Sequence, residues 1–191
     1  MRNVAKSQKK MSIRELCHIA VFVAIISVCA QIQIPMPPGV PLTLQTFAIM
    51  LTGIILGIRN GIIATSVYII LGAFGAPVFS SFSGGLGILF GRTGGFILSF
   101  PLLALASGIG AEFSGKYNRI WLALSLLIGA TINFTCGVLM FSLVMSMPLA
   151  VSFGFSAAPF IPAELIKIAL LVAFGKTIKV KLERALSPHR I

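Results

Sequence analysis

The chain has 191 residues, of which 57% are hydrophobic and only 10% are charged, and its mean hydropathy is +1.03. Soluble domains carry roughly 25% charged residues, so this composition predicts an integral membrane protein surrounded by the lipid bilayer. The formal net charge of +11 does not indicate a nucleic-acid partner, because the bases are dispersed between apolar runs and one Trp and two Tyr offer little for base stacking.

Metal binding and catalysis also find little support in the composition. The cysteines lie within apolar runs without a C-x-x-C spacing, and the two histidines are far apart in the chain. The acids form no carboxylate pair, and no Ser or Cys has an assignable histidine base. We therefore expect no metal, no cofactor and no enzyme. The residues concerned are Cys17, Cys29, Cys136, His18, His189, Glu15, Glu112, Glu164 and Glu183.

The first predicted elements are a basic tail at residues 1–12 and an apolar run from 13 to about 31. The tail carries four bases and no acid, which favours a cytoplasmic location, and the run is long enough to cross a membrane. Four prolines follow within residues 35–41, where they remove backbone donors and prevent a continuous helix. This segment is predicted to be an outer loop and is a candidate to fold over a pocket.

Two further apolar runs at 45–57 and 61–75 are joined by Ile58-Arg59-Asn60, which predicts a tight helical hairpin with Arg59 at the inner surface. The first of these runs is short for a membrane crossing. Residues 77–95 are rich in Gly and Ser, and they predict an irregular outer segment.

The later part of the chain contains apolar runs at 94–110, 120–147 and from about 159 to 174, with an uncharged outer loop predicted at 148–158. Pro159 and Pro162 suit the first turn of the last helix. The predicted fold is an all-α membrane protein, a bundle of about six transmembrane helices. It forms one domain at 13–182, between the tail at 1–12 and a second cytoplasmic tail at 183–191.

The basic residues indicate an orientation, since thirteen of the fifteen fall in segments on one side of this bundle. The positive-inside rule then places both termini in the cytoplasm. Arg92 and Lys167 are the exceptions. A Lys or Arg in hydrocarbon costs roughly 2.5 to 3.5 kcal/mol on insertion scales, so both indicate a site for an anion.

Glu164 and Lys167 are three residues apart on the last helix and share a face, and Arg92 precedes the fourth apolar run at a similar depth. One acid and two bases would leave a net positive charge that a ligand carboxylate could balance. The alternative is a structural Glu164–Lys167 ion pair with Arg92 extending to the outer interface. Further polar candidates for the same cavity are Thr43, Gln45, Tyr68, Ser80, Ser81 and Ser83.

No nucleotide-binding motif accompanies this constellation. A phosphate loop needs a lysine after its last glycine, whereas Gly91 is followed by Arg92 and Thr93. If ATP energises the protein, another polypeptide must bind it. On the first helix, Ala20 and Ala24 are spaced so that a partner helix could approach closely, although this spacing also occurs in ordinary internal packing.

Four blocks of the sequence carry a resemblance that covers nearly the whole chain. They are PLTLQTF at 41–47, GAFGAPVF at 72–79, the segment from 83 to 95 containing SGGLG and GRTGG, and PAELIK at 162–167. In this order they resemble the BioY family, the biotin-specific substrate-binding (S) component of energy-coupling factor (ECF) vitamin transporters.

The resemblance implies a six-helix bundle in a bacterial cytoplasmic membrane that binds biotin near its outer face. It associates Arg92, Glu164 and Lys167 with biotin, and the Ala20 and Ala24 surface with a transmembrane coupling subunit. Two ATPase subunits would bind ATP. The family's usual acid at position 164 is Asp, so the longer Glu164 changes the hydrogen-bond geometry while it keeps the charge.

Two other functions fit the residues. An S component for a different vitamin or precursor would share the architecture and change the pocket. A non-catalytic structural subunit would use the charged residues for assembly. The sequence also leaves open whether the chain works alone or with a coupling subunit and ATPases.

Overall fold

The computed structural model describes residues 11–36, 39–112 and 118–186. The predicted tail at 1–12 lies outside the described residues except for Met11 and Ser12, and so does the tail at 183–191 beyond residue 186. The helices and strands are α1 (Ile13–Gln31), β1 (Gln33–Ile34), β2 (Leu42–Thr43), α2 (Gln45–Ala73), α3 (Leu86–Leu89), α4 (Gly94–Leu98), α5 (Phe100–Glu112), α6 (Arg119–Met145), α7 (Leu149–Ser156) and α8 (Ile161–Leu186), with 3₁₀ turns at Ser80–Phe82 and Ala158–Phe160.

Helix α1 begins at a capping box. The Ser12 hydroxyl accepts a hydrogen bond from the Arg14 amide at 3.2 Å, and the Glu15 carboxylate accepts one from the Ser12 amide at 2.8 Å. Each bond satisfies an amide that the helix itself leaves without a partner. Glu15 therefore has a structural role. The helix begins at Ile13, which is the first residue of the predicted apolar run.

The proline-rich segment connects two short antiparallel strands. Gln33 pairs with Thr43 and Ile34 pairs with Leu42, so β1 and β2 join the end of α1 to the start of α2. Of the described prolines, Pro35 and Pro41 lie just outside the paired strands, where no ladder hydrogen bond is lost. Residues 37 and 38 are outside the described part; the described residues on either side of them are non-helical, as predicted for this segment.

Helix α2 reverses direction at Gly57, whose φ of 77° is available to glycine at little cost. The Gln45 Nε2 atom lies 2.7 Å from the Tyr68 hydroxyl, whereas 23 residues of straight helix would separate them by about 34 Å. The two halves are therefore antiparallel, as the predicted hairpin requires. Glu112, at the end of α5, accepts a hydrogen bond from the Ile58 amide at 2.8 Å beside this turn.

The remaining long helices are α5, α6 and α8. Helix α5 ends beside the Gly57 turn, and α6 begins after Asn118, which caps it by accepting from the Ile120 amide at 3.0 Å. The fourth apolar run is divided at Ser99 into α4 and α5. The prediction of a loop at 148–158 is wrong, because α7 occupies most of this segment. A helix forms all its backbone hydrogen bonds internally, and such bonding is required in apolar surroundings.

The core is aliphatic and lies along the contacts of α2 with α1 and α5. Its fully buried members include Ile26, Ile49, Ile54 and Leu103. Helix α2 approaches α5 at Gly53, where a Cβ atom would lie 2.8 Å from the Ser107 Cβ and would overlap the Ala104 carbonyl. Glycine is therefore needed for this contact.

Among the described residues, four helical stretches are long and apolar enough to cross a membrane: Ile13–Gln31, Gln45–Ala73, Arg119–Met145 and Leu149–Gly175. Only 28 to 44% of the most apolar window of each is buried inside the protein. The remaining apolar side chains face outward, which a soluble protein would not tolerate over such an area. The fold is that of a helical membrane protein.

The Gly53 contact can be tested with Gly53→Ala. We expect a lower melting temperature in detergent, because overpacking costs about 1 to 3 kcal/mol. Gly87→Ala is the matched control, since a Cβ at Gly87 meets nothing within 4 Å. Equal melting temperatures for the two variants would contradict the close approach of α2 and α5.

Candidate functional site

A cavity lies at the end of the bundle opposite the Gly57 turn, beneath the connection between β1 and β2. It contains about 560 Å³ of empty space, including the part that is open to solvent. The apolar lining residues are Val40, Pro41, Leu42, Phe96, Ile97, Phe100, Phe134 and Phe160, and the polar ones are Thr43, Gln45, Thr46, Ser80, Thr93, Asn133, Glu164 and Lys167.

Lys167 is the centre of the polar wall. Its ammonium donates to the Thr43 carbonyl at 2.8 Å, to the Thr46 hydroxyl at 2.8 Å and to Glu164 Oε2 at 3.1 Å. A lysine ammonium has three donors, so all of them are used within the protein. The Thr46 hydroxyl in turn donates to Glu164 Oε2 at 2.8 Å. We call Thr46, Glu164 and Lys167 the polar cluster.

Local structure places the cluster where three elements meet. Glu164 and Lys167 are one turn apart at the start of α8, and Pro162 precedes them in its first turn. Thr43 ends β2, and Thr46 lies in the first turn of α2. The strand pairing holds Thr43 and the start of α2 holds Thr46, so both oxygens lie within reach of the Lys167 ammonium.

The polar cluster is almost completely removed from solvent, with Glu164 4% and Lys167 8% exposed. A buried ion pair is favourable only when hydrogen bonds offset its loss of hydration, and here Thr43 and Thr46 supply them. The formal charges of Glu164 and Lys167 cancel. The cluster therefore presents a neutral, hydrogen-bonding surface to the cavity.

Arg92 does not line this cavity in the structure. It is exposed, and its Nη1 atom lies 2.7 Å from the position that a Cβ of Gly39 would occupy. Gly39 belongs to the connection between β1 and β2, and the neighbouring Thr93 lines the cavity. The structure thus brings Glu164 and Lys167 together and places the Arg92 guanidinium at the rim, against the loop that covers the cavity.

Gln45 and Tyr68 act together, although only Gln45 lines the cavity. Gln45 Nε2 donates to the Tyr68 hydroxyl at 2.7 Å, and that hydroxyl donates to the Val78 carbonyl at 3.0 Å. Tyr68 is completely buried. It therefore joins the cavity wall to the segment after α2, and it has no direct access to a ligand.

The turn at residues 80–83 is held in an uncommon conformation by Gln31. Ser81 and Phe82 have φ values of 58° and 51°, and the Gln31 side chain accepts from the Phe82 amide at 2.8 Å and donates to the Phe79 carbonyl at 3.0 Å. Ser83 donates to the Ser80 carbonyl at 2.7 Å and lines an outer recess, whereas Ser80 lines both the recess and the cavity.

Asn133, Thr46 and the phenylalanine wall are absent from the residues predicted for the site. Asn133 is 2% exposed, and its amide nitrogen donates to the Phe96 carbonyl at 2.9 Å and to the Ser99 hydroxyl at 2.7 Å. Both amide hydrogens are used, so its oxygen is the atom left for a ligand. A polar residue within an apolar run is the signal that could have identified it.

Two further predictions concern parts of the chain outside the cavity. Ala20 and Ala24 are exposed on α1, on the side away from the buried Ile19, Val23 and Ile26. No group of three or more His, Cys, Asp or Glu residues that could hold a metal ion occurs within residues 11–36, 39–112 and 118–186.

A cavity with aromatic and aliphatic walls and a neutral polar cluster suits a small amphipathic molecule whose polar part both donates and accepts hydrogen bonds. The fold and the cavity together define a helical membrane protein with a small-molecule binding site at one end of its bundle. The chain belongs to the BioY family, whose model matches residues 5–184.

Relatives and a solved structure agree with this membership. "Biotin transporter BioY" of Thermotoga maritima is 38% identical over 171 residues, covering 89% of this chain and 98% of that protein. "Probable biotin transporter BioY" of Pyrococcus horikoshii is 36% identical over 175 residues, covering 88% and 98%. The crystal structure of "the S-component for biotin from an ECF-type ABC transporter" is similar with a TM-score of 0.79 and 25% identity, covering 87% of this chain and 90% of that chain.

The role of Thr46 in the polar cluster can be tested with Thr46→Val, which keeps the shape and removes the hydroxyl. We expect a loss of stability of about 1 to 3 kcal/mol, because Glu164 and Lys167 each lose a buried partner. Thr46→Ser should restore the melting temperature in detergent. A valine variant as stable as the wild type would show that the cluster does not depend on this hydroxyl.

Proposed function

We propose that the protein binds biotin as the high-affinity substrate-binding subunit of an ECF-type transporter and serves biotin uptake across the cytoplasmic membrane. The names of its relatives and the ligand named for the similar crystal structure support the choice of biotin. The observation that carries the proposal is the polar cluster, which faces a cavity that also has eight apolar lining residues. Transport, rather than catalysis, is the activity these features suit.

Biotin matches the cavity group by group. Its two ureido N–H groups would donate to Glu164 and to the Asn133 oxygen, and its carbonyl would accept from the second amide hydrogen of Gln45, which also lines the cavity. Its valeryl chain is apolar and suits the aromatic walls formed by Phe96, Phe100 and Phe160. Each polar group of the ligand would then replace its water contacts with protein contacts, and the hydrocarbon part would leave water.

The carboxylate of biotin needs a different partner. All three Lys167 donors are used, and the charge of Lys167 is already balanced by Glu164. A second anion beside this pair would leave a net buried charge, which is costly. We therefore infer that the ureido ring contacts the polar cluster and that the carboxylate points toward the rim, where Arg92 lies against Gly39.

The membrane arrangement is part of the same proposal. We propose six crossings, made by α1, the two halves of α2, α4 with α5, α6 and α8, with both termini in the cytoplasm of a bacterium. The positive-inside rule supports this orientation, since Arg59, Arg119 and Lys179 belong to the segments placed inside and the cavity then faces outward.

The proposed partners follow from the class of transporter. The exposed small residues Ala20 and Ala24 allow close approach by a helix of a transmembrane coupling subunit. Two ATPase subunits would bind ATP, since the chain itself carries no phosphate-binding loop in its sequence. In this arrangement the chain needs no cofactor or metal of its own and has no nucleic-acid partner.

Equilibrium binding of radiolabelled biotin to the purified protein tests the function directly. We expect saturable binding that excess unlabelled biotin displaces and that other vitamins do not, because the cavity supplies donors and acceptors for a ureido ring. Displacement by a different vitamin, with none by biotin, would instead identify the protein as a binding subunit for that vitamin.

The orientation of biotin can be tested with the alcohol made by reducing its carboxylate. Loss of a hydrogen bond to a charged group costs about 1.5 to 3 kcal/mol, or roughly 10- to 100-fold in affinity. We expect Arg92→Gln to lower the affinity for biotin by this factor and to leave the affinity for the alcohol unchanged. Lys167→Met should lower the affinity for both ligands.

Arg59→Gln is the matched control for this experiment, because Arg59 lies at the opposite end of the bundle. It should bind both ligands as the wild type does. If Lys167→Met instead removed the preference for biotin over the alcohol, and Arg92→Gln kept it, the carboxylate would belong at Lys167 and the proposed orientation would be wrong.

A further inference from the structure

A second cavity lies beside the first, in a groove between α6, α7 and α8. It contains about 1010 Å³ of empty space, including the part that is open. The groove and the binding cavity share two lining residues, Phe134 and Glu164. The residues that line the groove alone are Leu127, Ala130, Thr131, Thr135, Val138, Leu139, Leu149, Phe153, Ile161, Leu165 and Ile168.

The groove is lined mainly by apolar side chains, and the hydroxyls of its two threonines already donate hydrogen bonds within the protein. The Thr131 hydroxyl donates to the Leu127 carbonyl at 2.8 Å, and the Thr135 hydroxyl donates to the Thr131 carbonyl at 2.8 Å. Both hydroxyls therefore bond to their own helix. Leu149, which is 54% exposed, also lines the groove.

The two side chains that line both cavities, Phe134 and Glu164, lie between them. The Phe134 ring is half-buried and meets Phe96 edge to face, with centroids 6.3 Å apart and an interplanar angle of 83°. Glu164 is held by Thr46 and Lys167 through its Oε2 atom. Removing the Phe134 ring would therefore open the wall and leave the polar cluster intact.

We propose that Phe134 determines ligand specificity by closing the binding cavity toward the groove. The ring limits the size of the substituent that a ligand can carry at its end next to Glu164. If the ring were removed, an apolar substituent at that end could enter the groove. This inference rests on the proposed function. With the ureido ring beside the polar cluster, the excluded ligands are biotin derivatives that carry an alkyl group on a ureido nitrogen.

The test compares three ligands, namely biotin, biotin with a butyl group on a ureido nitrogen, and the butyl amide of the biotin carboxylate. Each is measured by calorimetry on the wild type, Phe134→Ala and the matched control Phe153→Ala, which changes a groove residue outside the cavity lining. A pocket discriminates by about 10- to 200-fold for one unaccommodated methylene, so the wild type should bind the ureido-butyl ligand at least about 100-fold more weakly than biotin.

In Phe134→Ala the ratio of the affinities for biotin and the ureido-butyl ligand should fall at least about 10-fold from its wild-type value, because the butyl group enters the groove, while the hydrogen bond of the substituted ureido nitrogen stays lost; Phe153→Ala should keep the wild-type ratio. Phe134→Leu, which keeps more of the wall and is safer for folding, should give an intermediate ratio. The proposal would be overturned if Phe134→Ala and Phe134→Leu still bound biotin and kept the wild-type ratio of the affinities for biotin and the ureido-butyl ligand. It would also be overturned if Phe153→Ala lowered this ratio as much as Phe134→Ala does.

The remaining outcomes separate this inference from the proposed function. Phe134→Ala could instead gain affinity for the butyl amide and not for the ureido-butyl ligand. In that case Phe134 still separates the two cavities, and the orientation proposed for biotin is reversed. If the wild type does not bind biotin, the proposed function fails, and the inference fails with it.

Discussion

The structure depends on how one lysine ammonium is accommodated inside a helical bundle that faces lipid. Lys167 is almost completely buried, and its three donors are used by a backbone carbonyl, a hydroxyl and a carboxylate. These acceptors come from β2, α2 and α8, so satisfying the ammonium requires that the three elements meet. Without that meeting, an unpaired charge would remain in an apolar interior, at a cost of several kcal/mol.

The same constraint shapes the cavity beside the cluster. Thr43 can reach Lys167 only because the strand pairing carries the proline-rich segment back from the end of α1, and the segment then covers the cavity with Val40 and Pro41. The Glu164–Lys167 pair is neutral as a unit. In the proposed function, a ligand that meets this pair would be selected by hydrogen bonds rather than by charge, and its anionic group would lie at the rim near Arg92.

Local chemistry explains which parts of the fold were accessible to prediction. The hairpin between the apolar runs at 45–57 and 61–75 and Pro162 at the start of α8 depend on residues within one or two helical turns, so the sequence predicted both. The helix α7 and the break at Ser99 were not predicted, because an apolar stretch does not reveal whether its backbone continues a helix or bends.

The sequence by itself determined that the chain is a helical membrane protein and that Glu164 and Lys167 share one helical face, since both follow from composition and from 3.6-residue periodicity. Only the tertiary structure decided that Thr46 and Thr43 complete the lysine's hydrogen bonds, that Asn133 faces the cavity, and that Arg92 lies at the rim. These positions depend on contacts between residues far apart in the chain, and helical periodicity carries no information about which faces of different helices meet.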